Sequence, residues 1–148
     1  MARKRKSPRA GFIPYIVNGG VVFIMFMKPS DSKYGGDSFQ IAKGKVDPGE
    51  KHVDAAIREA SEELGLKKSN LETIEYLGKF LGYTDIYYGR VINKDDFDPY
   101  NYETGDTKWM NIDEFLKIGR SIHIPIIREF WESVTKHEPS LQNHQCEK

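Results

Sequence analysis

The stretch from Gly44 to Leu66, GKVDPGEKHVDAAIREASEELGL, constrains this chain more than any other. It reads as a Gly-rich turn followed by a helix from His52 to Leu64, which ends at Gly65, a residue suited to a left-handed cap. Glu59, Glu62 and Glu63 are spaced i, i+3 and i+4, so they share one helix face within an arc of about 100°. Val53, Ile57, Ala60 and Leu64 fall on the other side. One stripe therefore enters a core while the other gathers negative charge. Like charges four residues apart cost about 0.2–0.5 kcal/mol each in an isolated helix, and Arg58 is the only cation between Ile57 and Leu66. A divalent cation turns that repulsion into coordination, and clustered carboxylate oxygens suit Mg²⁺ or Mn²⁺. Three carboxylates alone leave a plainly acidic, solvated helix face as the alternative.

The neighbouring residues decide between the two. Gly44, five residues, Glu50, seven residues, Arg58-Glu59, the apolar Ala60, Ser61, Glu62-Glu63, Leu64, Gly65 and Leu66 resemble the Nudix box, G-x5-E-x7-R-E-U-x-E-E-x-G-U with U apolar. Every fixed position is filled. The resemblance implies an α/β fold, a Nudix-type α/β/α sandwich with a mixed β-sheet flanked by helices. It also implies a metal site made by Glu59, Glu62, Glu63 and the backbone carbonyl of Gly44, with Glu50 as a further ligand or a brace. Arg58 joins the catalytic set by pairing with a box carboxylate and holding it in position. Glu62 or Glu103 takes the proton from the attacking water.

At 148 residues the chain holds one domain with a real core. A hydrophobic content of 39% with 30% charged residues places it among globular rather than disordered chains. Lys plus Arg and Asp plus Glu both number 22, so overall charge names no partner. Cys146 is the single cysteine, which leaves no intrachain disulfide and fits a reducing, cytoplasmic setting. The longest apolar run, Val21 to Met27, is strand-sized and too short to span a bilayer.

In chain order, residues 1–10 form a basic arm with Arg3, Lys4, Arg5, Lys6 and Arg9. Such an arm suits RNA or a nuclear address, but no aromatic residue is interleaved to stack bases, and a solvated tail is the favoured alternative. The domain is expected over 11–136, with 137–148 a flexible tail. Gly11–Val17 and Val21–Lys28 read as strands joined at Asn18-Gly19-Gly20. A loop follows over 29–37, then a short strand Ser38–Ala42 and a turn Lys43–Glu50. His52 is expected to be exposed rather than a ligand. Ile74–Phe80 and Asp85–Ile92 read as antiparallel strands. Lys94–Thr107 reads as a polar loop, Lys108–Met110 as a last strand, Asn111 as the cap of a helix Ile112–Lys117, and Ile124–Lys136 as an amphipathic helix with Pro125 in its first turn.

Metal ions on the acidic face would bridge the carboxylates to a diphosphate and activate water for attack on phosphorus. The resemblance therefore implies a metal-dependent pyrophosphohydrolase of nucleoside diphosphates linked to another moiety. Lys43 and Lys45 are candidate phosphate contacts. Tyr83 lies where family members acting on dinucleoside polyphosphates tend to carry a Tyr, and Ala42-Lys43-Gly44 is close to their Pro-Lys-Gly, with Ala42 departing from the Pro. Dinucleoside polyphosphates are thus the favoured substrates. The wording Gly44 to Glu50 also looks like the ADP-ribose class, so ADP-ribose or FAD- and NADH-type pyrophosphatases stay open, as does an RNA-cap hydrolase. A nucleotide sensor or RNA-binding module is disfavoured because the box glutamates are intact. Family members place a further carboxylate before a late Trp, and Glu103 and Asp106 are the candidates for that metal ligand or base. Family members of the ADP-ribose type are often dimers, so the resemblance leaves a homodimer open beside a monomer.

Overall fold

The computed structural model describes residues 7–30, 38–101 and 103–142. Most of the basic arm, most of the 29–37 loop and the last six residues lie outside them. Six strands form one mixed sheet: β1 (Arg9–Asn18), β2 (Val21–Pro29), β3 (Ala42–Lys45), β4 (Glu75–Phe80), β5 (Thr84–Arg90) and β6 (Thr104–Asn111). Three helices flank it: α1 (His52–Leu64), α2 (Ile112–Ile118) and α3 (Ile124–His137). The strand order is β4-β5-β1-β2-β6, with β3 attached to β1.

β1 is the central strand, and its apolar run is explained by burial on both faces. Ala10 and Phe12 point into one cluster with Ala55, Ala56, Ala60 and Leu64 of α1. Ile13 and Tyr15 point into the other, with Phe115 of α2 and Ile126, Ile127 and Phe130 of α3. This is the α/β/α sandwich that the sequence predicts. β1 runs parallel to β5 from Arg9 to Tyr15. On its other edge it pairs with β3 over Arg9–Phe12 and with β2 over Tyr15–Asn18. β2 and β3 therefore part from β1 at a fork, held across by one bridge between Met27 and Gln40. A cavity opens at this fork.

Several boundaries differ from those expected, each for a reason of pairing. The third strand is Ala42–Lys45 rather than Ser38–Ala42, because Lys43, Gly44 and Lys45 align with Gly11, Ala10 and Arg9 of β1. Gly44 is thus strand rather than turn. The sheet reaches back beyond Gly11: Arg9 and Ala10 lie in β1, and the Pro8 carbonyl accepts from the Val46 amide at 2.9 Å. Packing also continues past residue 136. Leu141 is buried and Gln142 pairs with Val21, so the chain after α3 docks back against β2. β6 begins at Thr104, inside the expected loop, because Pro29, Lys28 and Met27 of β2 supply its ladder partners. Asn111 caps α2, its side chain accepting from the Glu114 amide at 2.8 Å. No helix among the described residues is long and apolar enough to cross a membrane.

Candidate active site

α1 is laid down by its two faces. Its buried residues Ala55, Ala56, Ile57, Ala60 and Leu64 seat it on the sheet. Small alanines bring its axis close, which carries Glu59 and Glu63 to the edge of β3. Gly65 ends the helix at φ 78°, and a side chain there would collide with the Asp98 carbonyl at 1.7 Å. The next loop is then clasped to the helix end. Asn101 donates its amide to the Glu62 carbonyl at 2.7 Å, and Thr104 Oγ1 donates to the Glu63 carbonyl at 2.9 Å. Ser30 donates to the Glu103 carbonyl from both its amide and its hydroxyl. These contacts fix Glu103 opposite the helix.

The result is a cavity of about 200 Å³ lined by Arg9, Met27, Pro29, Gln40, Ile41, Lys43, Glu59, Glu63 and Glu103. Glu59 lies so close to β3 that a Cβ on Gly44 would sit 2.3 Å from its carboxylate. Gly44 therefore leaves room for an acid against bare backbone. Glu63 Oε2 is fully covered and has no hydrogen-bond partner among the described residues. Burial, and then the charge of Glu59, push the Glu63 carboxyl up to about 8, while the Lys43 amide pulls the other way. Burial likewise raises Glu59, followed by the charge of Glu62. Lys43 is lowered to about 8, by burial first and then by Arg9 and Arg120. Such opposed groups in one cleft are what a site awaiting a charged ligand looks like.

Arg58 organises the acids from the outer side. It donates to Glu50 through Nε at 2.9 Å and Nη2 at 3.0 Å, and to Glu59 through Nη1 at 3.0 Å. Nη2 also reaches the Lys45 carbonyl at 2.9 Å, tying helix to strand. Glu62 is looser, 3.5 Å from Arg58 and about half exposed. Glu50 receives the Arg58 fork and the Asp47 amide, which hold it down at about 2. Glu50 is thus spent on bracing Arg58.

The other sequence candidates separate. Lys45 and Tyr83 line a second recess of about 380 Å³ with Ser7, Arg9, Leu81 and Thr84. Tyr83 is half exposed beside Leu81, a non-glycine residue at φ 52°. Asp106 is not on the acidic cavity; it pairs with Lys28 in the β2–β6 ladder. His52 is engaged rather than free, its Nδ1 2.5 Å from Asp85 Oδ2, while the Tyr76 hydroxyl donates to Asp85 Oδ1 at 2.8 Å. The residue the sequence reasoning missed is Arg9, placed with the basic arm but standing on both recesses. The signal for it was the alternation Arg9, Gly11, Ile13 against Ala10, Phe12, which extends the strand backwards.

A divalent cation fits this donor set. Gly44 leaves a cradle that a Cβ would fill, Glu63 Oε2 is buried without a partner, and all donors are hard oxygens. Among the described residues no three acidic, His or Cys side chains converge tightly enough to hold a metal unaided.

A family model for the NUDIX domain matches residues 7–130. The chain belongs to the NUDIX family. A bis(5'-nucleosyl)-tetraphosphatase [asymmetrical] of Caenorhabditis elegans is 29% identical, covering 74% of this chain and 83% of that protein. Its counterpart in Rattus norvegicus is 28% identical, covering 76% of this chain and 79% of its own. Among solved structures, a C. elegans Ap4A hydrolase binary complex superposes with a TM-score of 0.70 at 24% identity, covering 86% of this chain and 98% of the other. The NUDIX domain of Shewanella oneidensis NrtR complexed with ADP ribose gives 0.69 at 14% identity, over 90% and 91%. These likenesses agree with the fold.

Proposed function

We propose that this Nudix pyrophosphohydrolase cleaves dinucleoside polyphosphates, using Mg²⁺ or Mn²⁺ held by Glu59, Glu62, Glu63 and the Gly44 carbonyl. The observation that carries the reading is the cavity at the strand fork, where Glu59, Glu63 and Glu103 face Lys43 and Arg9. When bound, a divalent cation there would neutralise phosphate charge and favour deprotonation of the attacking water. The chain's own residues do the rest. Arg58 fixes the Glu59 carboxylate against Gly44. Lys43 meets a phosphate oxygen at the cavity floor. Glu103, clasped opposite α1, or Glu62, exposed beside it, accepts the proton of the attacking water. Tyr83 and Lys45 in the adjoining recess suit a base and the distal phosphates.

The dinucleoside assignment draws on this aromatic recess and on the tetraphosphatase relatives. The single cysteine fits action in the reducing cytoplasm. A substrate panel of diadenosine tetraphosphate, ADP-ribose, FAD, NADH and capped RNA, run with Mg²⁺ in ¹⁸O-labelled water, tests it. Fastest turnover of diadenosine tetraphosphate, with label in a mononucleotide product, is expected. Preference for ADP-ribose or capped RNA overturns the substrate assignment.

A further inference from the structure

Arg9 is a cation with no assigned partner. It opens β1, in register with Lys45 of β3 and Thr84 of β5. Its amide donates to the Tyr83 carbonyl at 3.0 Å, so its backbone is locked to the β4–β5 turn. Residues directly paired across strands share a face, so Arg9, Lys45 and Thr84 project together, with Lys43 two residues along β3 on the same face. The Arg9 side chain is half-buried, and its Nε is covered without a hydrogen-bond partner. Among the described residues the guanidinium forms no ion pair, although Glu59 and Glu63 line the same cavity. By contrast Arg58, at the outer side of the same acids, is fully used.

The position of Arg9 is what gives this meaning. It is the one residue common to the acidic cavity and the aromatic recess. Any ligand occupying both must pass it. A guanidinium presents five donors in a planar fork that matches phosphate oxygens, and a covered, unpaired donor is costly until such an acceptor arrives.

We propose that Arg9 is a substrate-positioning residue that grips the phosphate chain between the two recesses. It thereby selects nucleotides whose phosphates are numerous enough to run from the acidic cavity to Tyr83. This rests on the function proposed above and deepens it. Specificity for chain length then resides in β1, outside the Gly44–Leu66 segment. Because the gripped phosphates are not the ones attacked, Arg9 governs binding more than the chemical step.

The test compares wild type with Arg9→Met, which keeps the stem and removes the fork, and with Arg9→Lys, which keeps the charge. Calorimetric titrations in EDTA use ATP and AMP as probes; steady-state rates with Mg²⁺ use diadenosine tetraphosphate. Losing a charge-assisted contact should weaken ATP binding about 10- to 100-fold while leaving AMP within about 3-fold. KM for diadenosine tetraphosphate should rise in the same proportion with kcat within about 3-fold, and Arg9→Lys should recover part of the loss. If Arg9→Met does not fold, Arg9→Lys carries the test through a smaller, ATP-selective loss. Equal ATP affinities in wild type and variants, or equal losses for ATP and AMP, overturn the role of Arg9 alone. A wild-type protein that neither binds ATP nor cleaves diadenosine tetraphosphate overturns the proposed function, and this with it.

Discussion

Replacing Glu63 by Gln should change how stability depends on pH in the metal-free protein. The unfolded chain titrates Glu63 at its ordinary 4.5, while the fold raises it to about 8, through burial and then the Glu59 charge. Between those values the unfolded state has lost its proton and the native state has kept it. Stability therefore falls with rising pH by about 1.4 kcal/mol per pH unit. Glu59, also raised, acts in the same direction. His123 opposes this at lower pH. It is fully buried, its Nδ1 accepts from the Ile41 amide at 3.1 Å, and burial lowers it to about 3. From about 3 to 6.5 the unfolded state binds the extra proton, so that contribution gains stability as pH rises. The two slopes offset each other from 4.5 to 6.5, and above 6.5 only the fall remains. Lys43, lowered to about 8, begins to add stability only above that value. Metal-free protein should thus lose about 2 kcal/mol between pH 6.5 and 8, or about 4–8 °C in Tm for a chain of this size. Melts followed by circular dichroism in EDTA would show it. Glu63→Gln should flatten that limb, and Mg²⁺ should flatten it for wild type at pH 8, since cation charge replaces the proton. Parallel pH slopes in wild type and Glu63→Gln would refute the reasoning.

Other perturbations separate site from scaffold. Glu62→Gln should lower kcat about 10²- to 10⁴-fold with Tm unchanged, because the side chain is half exposed and, among the described residues, its ion pair is with Arg58 at 3.5 Å; near-native rates would remove Glu62 from the reaction. Gly44→Ala places a Cβ 2.3 Å from the Glu59 carboxylate, which is the far end of a flexible side chain. It should therefore spare the melting temperature while cutting kcat/KM about 10- to 100-fold by displacing a metal ligand. Tyr83→Ala should raise KM for diadenosine tetraphosphate about 10-fold, in line with a lost stacking contact, and leave ADP-ribose unaffected; equal losses would detach Tyr83 from base recognition.

The helix bearing the glutamates was legible because a 3.6-residue period and a glycine stop act within one segment, and no distant partner is needed to specify them. The strands β1, β2 and β5 were legible because short apolar, β-branched and aromatic runs bounded by turn residues are likewise local signals. What escaped was set by pairing between remote segments. Lys43-Gly44-Lys45 has the composition of a turn, but Arg9–Gly11 draws it into the sheet. Arg9 follows a run of basic residues and reads as part of an arm until its ladder partners Lys45 and Thr84 are known. The loop acids could not be ranked from spacing. Their placement depends on Ser30 and Asn101, the one holding the Glu103 carbonyl and the other joining the loop to the end of α1, which brings Glu103 to the cavity. Asp106 is instead carried off into the β2–β6 ladder.

Anomalous diffraction from crystals soaked in Mn²⁺ with a non-hydrolysable diadenosine tetraphosphate analogue is the most direct test of the central claim. The account predicts manganese peaks between the Glu59, Glu62 and Glu63 carboxylates and the Gly44 carbonyl, bridged to phosphate oxygens. Nucleotide density without manganese beside those glutamates would contradict it.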